Sequence, residues 1–431
     1  MKKIKNPPQE QLNSLLSLYK NNQFKDAEYL ALSITKKFPK HLFSWKVLGV
    51  VLKQTGRASE ALVANKKALV IDPHDVESYN NMGNTFQELA RFDEAESIYR
   101  QAIVIKPNFI EAYSNLGNTL KNLGRFEEAE SNYKIALSLN PNYAEAYNNL
   151  GATIKEQGRL KEAIENYEKA ITLKPDYATA YGNLGDALRE MGRLEEATAI
   201  YEKAIKIMPN FSEAKHWLAT LTGVTTQTAP RDYVEKLFDG YANKFEYSLV
   251  QQLKYNIPKI ITKMIVSKHP NDSLGSVLDL GCGTGLAGFE IKELCTNLEG
   301  IDLSNLMLEK ARKKNIYSKL IHGDILEFLL NEDLDFDYFI STDTFVYIGD
   351  LSDIFSSIKS RNRSGSKLVF STEHRENDTF MLETSGRYSH SKGYIESLCQ
   401  KFNFKLSYFE KAQLRKEKGK FLTAGLYILD F

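Results

Sequence analysis

In the first half of the chain, apolar residues recur at helical spacing, and the whole pattern returns every 34 residues. Tyr79, Tyr113, Tyr147 and Tyr181 are in phase. So are Gly49, Gly83, Gly117, Gly151 and Gly185, and Ala27, Ala61, Ala95, Ala129, Ala163 and Ala197. Pro39, Pro73, Pro107, Pro141, Pro175 and Pro209 close successive units, since proline lacks an N–H and disfavours helix just before it. Residues 76–109 show the internal plan. Tyr79, Met82, Gly83 and Phe86 form one stripe, Ala90-Arg91-Phe92 a turn, and Ala95, Ile98, Tyr99 and Ala102 a second stripe. Each unit therefore predicts two paired helices. Gly83 and Ala95 allow close approach where they cross, and Tyr99 fills the space beside them. Six units are expected, at 6–39, 40–73, 74–107, 108–141, 142–175 and 176–209. A helix from Ser212 to about Leu221 then caps a repeat domain of residues 1–221. The first unit is degenerate, with Leu15 at the glycine position, as terminal units of a stack often are.

The pattern changes after the polar stretch 222–230, which predicts a linker. Tyr233, Leu237, Phe238, Tyr241 and Phe245 predict aromatic-rich helical turns. Short apolar runs follow at 276–280, 298–302, 318–321, 337–341 and 367–371, alternating with helical segments such as 304–313. That alternation predicts a parallel sheet with right-handed crossovers. Two last runs, 404–410 and 421–429, flank a charged loop at 411–420 and predict a terminal hairpin that adds an antiparallel strand. The expected fold class is α + α/β: an all-α solenoid, then a Rossmann-like domain over residues 231–431.

The 34-residue unit, with Trp45-Lys46-Val47-Leu48-Gly49 in its second copy, resembles the tetratricopeptide repeat. Stacked arrays of this family present a long concave face suited to extended peptides or protein partners. The resemblance thus implies a protein or peptide partner bound through that face. Asn81, Asn115, Asn149 and Asn183 occupy one position on the first helix of four consecutive repeats. In this family the first helices line the groove, and an amide can both donate to and accept from a peptide backbone. The four are therefore candidate peptide-binding residues, and the ladder resembles that of O-linked N-acetylglucosamine transferase. Val47 interrupts it in the second repeat. The alternative is that these asparagines cap or space neighbouring helices. The tyrosines at 79, 113, 147 and 181 are expected to pack between helices.

Composition narrows the classes. The 56 basic and 55 acidic residues leave a net charge of +1, and neither half carries the basic surplus that neutralising phosphates requires. Nucleic acid is not expected as a partner. No apolar run reaches membrane-spanning length, and the basic start leads into no apolar segment, so neither membrane nor secretion is expected. Cys282, Cys295 and Cys399 are odd in number and lack CxxC spacing. They read as free thiols in a reducing, cytoplasmic setting. The seven histidines form no HxxxH or HExxH pattern, so no metal site is expected.

The segment Val277-Leu278-Asp279-Leu280-Gly281-Cys282-Gly283-Thr284-Gly285 is a buried strand ending in an acid and a glycine-rich turn. Such a turn lets backbone approach a ligand at the carboxyl edge of a sheet. Three details favour S-adenosylmethionine over a dinucleotide. The spacing is Gly-x-Gly-x-Gly rather than Gly-x-Gly-x-x-Gly. Asp279 would repel a pyrophosphate. The same carboxylate can attract an ammonium group, directly or through water. Asp302 ends the next strand, where it can accept from ribose hydroxyls. Asp324, in His322-Gly323-Asp324-Ile325, is placed to accept from an adenine amino group.

Together these residues resemble the class I S-adenosylmethionine-dependent methyltransferases, whose domain has seven strands. The resemblance implies S-adenosylmethionine as cofactor. Asp279, Gly281, Gly283 and Gly285 would hold its methionine end, Asp302 and Leu303 the ribose and adenine, and Asp324 and Ile325 the base. Repeats joined to such a domain, with Leu237-Phe238-Asp239-Gly240-Tyr241-Ala242, Phe345-Val346-Tyr347-Ile348-Gly349-Asp350 and Gly386-Arg387-Tyr388-Ser389-His390-Ser391, resemble predicted bacterial methyltransferases that contain tetratricopeptide repeats.

A base is needed if the acceptor must lose a proton. Asp343, Tyr347, Glu373, His374, Tyr388 and His390 are candidates, with His390 first and Asp343 and Tyr347 beside it. Tyr233, Phe238 and Tyr241 are expected to cover the cofactor or to pack in the core. Three readings stay open: a methyltransferase whose repeats recruit a protein substrate, a small-molecule methyltransferase docked by its repeats, and a non-catalytic scaffold. The methyl acceptor is not specified by the sequence.

Overall fold

The computed structural model describes residues 6–431 apart from 243, 269–272, 363–364, 378 and 418. The basic start at 1–5 lies outside the described residues. The chain divides into two compact units, residues 1–207 and 208–431.

The first unit is a helical solenoid. Its helices are α1 (Gln9–Lys20), α2 (Phe24–Lys37), α3 (Leu42–Gln54), α4 (Ala58–Ile71), α5 (Val76–Glu88), α6 (Phe92–Ile105), α7 (Ile110–Asn122), α8 (Phe126–Leu139), α9 (Ala144–Glu156), α10 (Leu160–Leu173), α11 (Ala178–Glu190) and α12 (Leu194–Ile207). They pack as successive antiparallel pairs, each pair also resting on the next. The 34-residue phase has a steric cause. A side-chain carbon on Gly83 would sit 2.5 Å from the Tyr99 ring, and one on Gly117 2.8 Å from that of Tyr133. The tyrosines of α6, α8, α10 and α12 (Tyr99, Tyr133, Tyr167 and Tyr201) are fully buried against the glycines of the preceding helices. In the second repeat Asn65 takes the tyrosine's place beside Gly49 and donates to Thr85 Oγ1 at 3.0 Å.

The second unit opens with α13 (Ser212–Thr222), α14 (Arg231–Tyr241) and a π-helical turn at Tyr247–Gln252, then α15 (Ile257–Lys268). The sheet domain follows as β1 (Gly275–Leu280), α16 (Leu286–Ile291), β2 (Cys295–Asp302), α17 (Asn305–Lys313), β3 (Lys319–His322), α18 (Ile325–Asn331), β4 (Tyr338–Ser341), α19 (Ser352–Arg361), β5 (Lys367–Arg375), β6 (Phe380–Leu382), β7 (Tyr388–Ser391), α20 (Lys392–Phe402), β8 (Lys405–Glu417) and β9 (Lys420–Asp430). Strands β3, β2, β1, β4 and β5 lie side by side and parallel. Strand β9 runs antiparallel along Lys367–Glu373 of β5 and pairs with β8. These seven strands form the expected mixed sheet.

Two more strands were not anticipated. The β6–β7 hairpin adds on where β4 has ended, with β7 pairing parallel to Glu373–Arg375 of β5. It brings the sheet to nine strands among the described residues. The pleat sends successive residues to opposite faces. Leu278, Leu280, Phe339, Leu368 and Phe370 enter one core layer, and Val277, Ile340, Val369, Leu426 and Ile428 the other. Burial of both faces explains why these strands read as nearly continuous apolar runs.

Three sequence expectations need correction. The stretch expected as a loop is largely strand: β8 continues to Glu417 and β9 begins at Lys420, because ladder bonds override the charged composition. Residues 222–230 are not a free linker. Gly349 and Asp350 both donate to Gln227 O at 2.8 Å, Ala229 donates to Tyr347 O at 3.0 Å, and Thr226 bonds Tyr388. The segment is a strap along the second unit. Helix α13, expected as the cap of the array, also groups with the second unit. Trp217 stacks edge-on against Tyr233 at 5.8 Å, and His216 Nε2 lies 3.0 Å from Gly386 O.

Candidate active site

A cavity of about 800 Å³ opens at the carboxyl ends of the parallel strands. Its floor is the loop after β1. Gly281 N and Cys282 N donate to Ile301 O at 2.9 and 3.0 Å, which pins the loop to the end of β2. Gly281 has φ +73° and Gly283 φ +54°, a region that favours glycine. At Gly281 a side chain would also strike Thr344, whereas at Gly283 it would project into open space. Gly283 thus offers bare backbone to the cavity.

Asp302 ties this loop to the next. Its Oδ2 accepts from Gly283 N at 2.8 Å, and its Oδ1 accepts from Ser304 N at 2.8 Å. Burial still pushes its carboxyl up to about 6, against the pull of those two amides. Asp279 is fully buried behind the glycine loop. Its Oδ2 accepts from Tyr317 Oη at 2.7 Å, while Oδ1 has no hydrogen-bond partner among the described residues. Burial pushes this carboxyl up to about 7.

Of the residues assigned to a cofactor, Gly281, Gly283, Asp302, Leu303, Asp324 and Ile325 line the cavity, and Asp279 and Gly285 are not among its lining residues. Asp324 also caps α18 by accepting from Glu327 N at 3.0 Å. Tyr233, Phe238 and Tyr241 line the cavity too, so α14 forms its aromatic wall. That helix is fastened to α17 through Asp239, whose Oδ1 accepts from Ser304 Oγ at 2.5 Å.

The candidate bases divide. Asp343 and Tyr347 line the cavity; Glu373, His374, Tyr388 and His390 are not among its lining residues. His390, the first choice from sequence, is fully buried in the β6–β7 hairpin with Nε2 2.9 Å from Gly349 O. Burial presses its pKa down to about 4. The parallel pairing of β7 to β5 turns this histidine into the packed interior rather than toward the cavity, so the structure does not support it as a base. Tyr388 bonds the strap at Thr226, and Glu373 is buried between two arginines. Tyr347 is held protonated, pushed up to about 12 by burial.

Arg415 was missed by the sequence reading. It donates to both oxygens of Asp343, at 2.8 and 2.6 Å, and also pairs with Glu373. Arg387 bridges Glu373 and Glu417. The ladder between β8 and β9 slips between Gln413 and Lys416, and such a bulge re-aims side chains. It places Leu414 and Arg415 together in the interior. The cavity's far end is therefore walled by Asp343, Tyr347, Ser385, Arg387 and Arg415, with Trp217 and the strap beside them.

In the first unit two of the four ladder asparagines are bonded to a different asparagine of the preceding repeat. Asn115 Nδ2 donates to Asn80 Oδ1 at 2.8 Å, and Asn183 Nδ2 to Asn148 Oδ1 at 2.8 Å. These two amides hold adjacent repeats together. Asn81 lines a small cleft with Tyr19, Lys53 and Asn84.

Comparison with known proteins agrees with this division. Tetratricopeptide-repeat families match residues 76–109, 108–176 and 142–210, and a methyltransferase-domain family matches residues 271–423. An uncharacterised protein of Haemophilus influenzae is 32% identical over 140 residues, 30% of this chain and 55% of its own. A dTDP-3-amino-3,6-dideoxy-alpha-D-glucopyranose N,N-dimethyltransferase of Streptomyces fradiae is 34% identical over 87 residues, 20% of this chain and 34% of its own. The chain thus spans about a third to a half of these curated relatives. Among solved structures, MamA is 30% identical, covering 38% of this chain and 95% of its own, with a TM-score of 0.34. The chain carries tetratricopeptide repeats followed by a methyltransferase domain.

Proposed function

We propose that the chain transfers a methyl group from S-adenosylmethionine and that its repeats recruit a protein or peptide partner that carries the methyl acceptor. The observation that carries the cofactor reading is the pair of buried acids around bare glycine backbone. Asp302 holds the Gly283 and Ser304 amides, and Asp279 keeps one buried oxygen without a partner among the described residues. A group with an ammonium and a ribose suits these acids, and a pyrophosphate does not. Gly281, Gly283 and Gly285 would take the methionine end, with Asp279 acting from behind the loop, Asp302 and Leu303 the ribose, and Asp324 and Ile325 the base.

The bound cofactor supplies a sulfonium-activated methyl, so the protein's task is alignment and exclusion of water. Phe238, Tyr241 and Leu249 give the cavity an apolar wall. Asp343 and Tyr347 orient the acceptor at the far end, with Arg415 fixing Asp343 through two hydrogen bonds. A cytoplasmic setting fits the free cysteines.

A second reading has its own support. The cavity of about 800 Å³ is of a size that takes a small molecule, and the Streptomyces fradiae relative is named for a sugar-nucleotide substrate. The enzyme would then methylate a small molecule, with the repeats serving to dock it. Labelled methyl transfer separates the two, using the full chain beside a folded variant with Asn81, Asn115, Asn149 and Asn183 replaced by alanine. Label that enters protein only with the intact ladder supports recruitment. Label in small molecules from both chains supports docking. No label from either, without cofactor binding, rejects the enzyme reading and leaves a scaffold.

A further inference from the structure

We infer that Tyr317 is a positioning residue for the cofactor: it seats the Asp279 carboxylate and props the glycine loop from behind. The inference rests on the cofactor reading above. Tyr317 precedes β3, and its hydroxyl donates to Asp279 Oδ2 at 2.7 Å. Its ring lies in a slot that three glycines leave open. A side-chain carbon on Gly285 would come within 3.0 Å of the ring, one on Gly300 within 3.0 Å, and one on Gly288 would strike the hydroxyl. The sequence thus spends glycines on β2, on α16 and in the loop to admit one tyrosine beneath the site.

The physical consequence follows from burial. A carboxylate removed from water favours its neutral form unless donors hold the charge. Tyr317 is the side-chain donor that Asp279 has, and the Gly288 amide adds a weaker pull in the same direction. With one oxygen fixed by Tyr317, Asp279 stays near its ionisation midpoint at neutral pH, and its other oxygen remains for the cofactor's ammonium or a bridging water. Around it lie Asp302, Cys282, Cys295, Tyr255 and Tyr317. Burial raises the thiols and phenols well above neutrality. Asp302, at about 6, is therefore the other group that titrates near Asp279.

The test is calorimetric titration of the full chain with S-adenosylhomocysteine from pH 6 to 8.5. Tyr317→Phe keeps the ring in its slot and removes the bond. Affinity should rise with pH in the wild type, with a midpoint near 7. In Tyr317→Phe the midpoint should move upward, and binding at pH 7 should weaken about fivefold, the loss of ionised Asp279 that a tenfold weaker acid brings. In an Asp279→Asn background the same change should cost nothing further, as for two residues that act as one unit. An unmoved midpoint, or a loss equal at every pH, overturns the inference and leaves Tyr317 as packing. A wild type that does not bind at all rejects the cofactor reading instead.

Discussion

Asp302, at the end of β2, accepts the backbone amide of Gly283, in the loop after β1, at 2.8 Å. One carboxylate thus shapes the surface that faces the cavity. Replacing it with alanine leaves the Gly283 and Ser304 amides without their acceptor. Asp302→Ala should weaken binding of S-adenosylmethionine by more than about thirtyfold, the scale of losing hydrogen bonds to a charged group. Calorimetry reads this directly, and an unchanged affinity would contradict it.

The two buried acids also set a pH dependence. The carboxyls of Asp279 and Asp302 are raised to about 7 and about 6 in the folded protein, against about 3.9 unfolded. Between pH 4 and 7 the folded state holds more protons, so stability falls as pH rises through that window. Asp279→Asn should remove part of this fall. The cofactor-free variant should melt later than wild type at pH 8, by on the order of 2 kcal/mol, and the difference should vanish by pH 4. Melting curves at the two pH values check it, and a variant that melts earlier at pH 8 refutes it.

Arg415 offers a different contrast. It is buried with Asp343 and Glu373. Arg415→Leu strands the Asp343 carboxylate, leaves Glu373 with Arg387 alone, and should cost about 3–5 kcal/mol. A denaturant titration resolves that cost. A loss below 1 kcal/mol would show that the cluster is hydrated.

The repeats give a prediction of opposite sign. Ala90 sits at φ +53°, where the equivalent turns carry Gly56, Gly124, Gly158 and Gly192. It is exposed, so it gains little by its methyl group. Ala90→Gly should stabilise the chain by about 1 kcal/mol, read as a raised melting temperature.

Helix α13 and the strap contribute Trp217, Gln227, Thr228 and Ala229 to the cavity wall. A fragment beginning at Arg231 loses these and uncovers Tyr233 and Tyr388. It should be less stable than a fragment beginning at Met208 by more than about 2 kcal/mol. Equal stability of the two would mean that the strap is only loosely held.

Much of this was legible in the sequence because its causes are local. The 34-residue phase is written by a glycine and a tyrosine that must touch, as Gly83 and Tyr99 do. The core strands and the acid at the end of β2 follow from apolar runs and the glycine loop between them. What stayed hidden depends on partners distant in sequence. Arg415 reads as one more charge in a basic stretch until a bulge turns it inward. The strap looks polar and free until Gln227 meets Gly349 and Asp350. His390 reads as a candidate base because its pairing with β5 has no local signature.

The central claim is methyl transfer, and one measurement meets it most directly. Full-length chain is incubated with methyl-labelled S-adenosylmethionine and a lysate of the organism that encodes it, beside the Asp302→Ala chain. The account predicts label in a discrete acceptor with the wild type and its loss with the variant. Equal label, or none, from the two chains would contradict it.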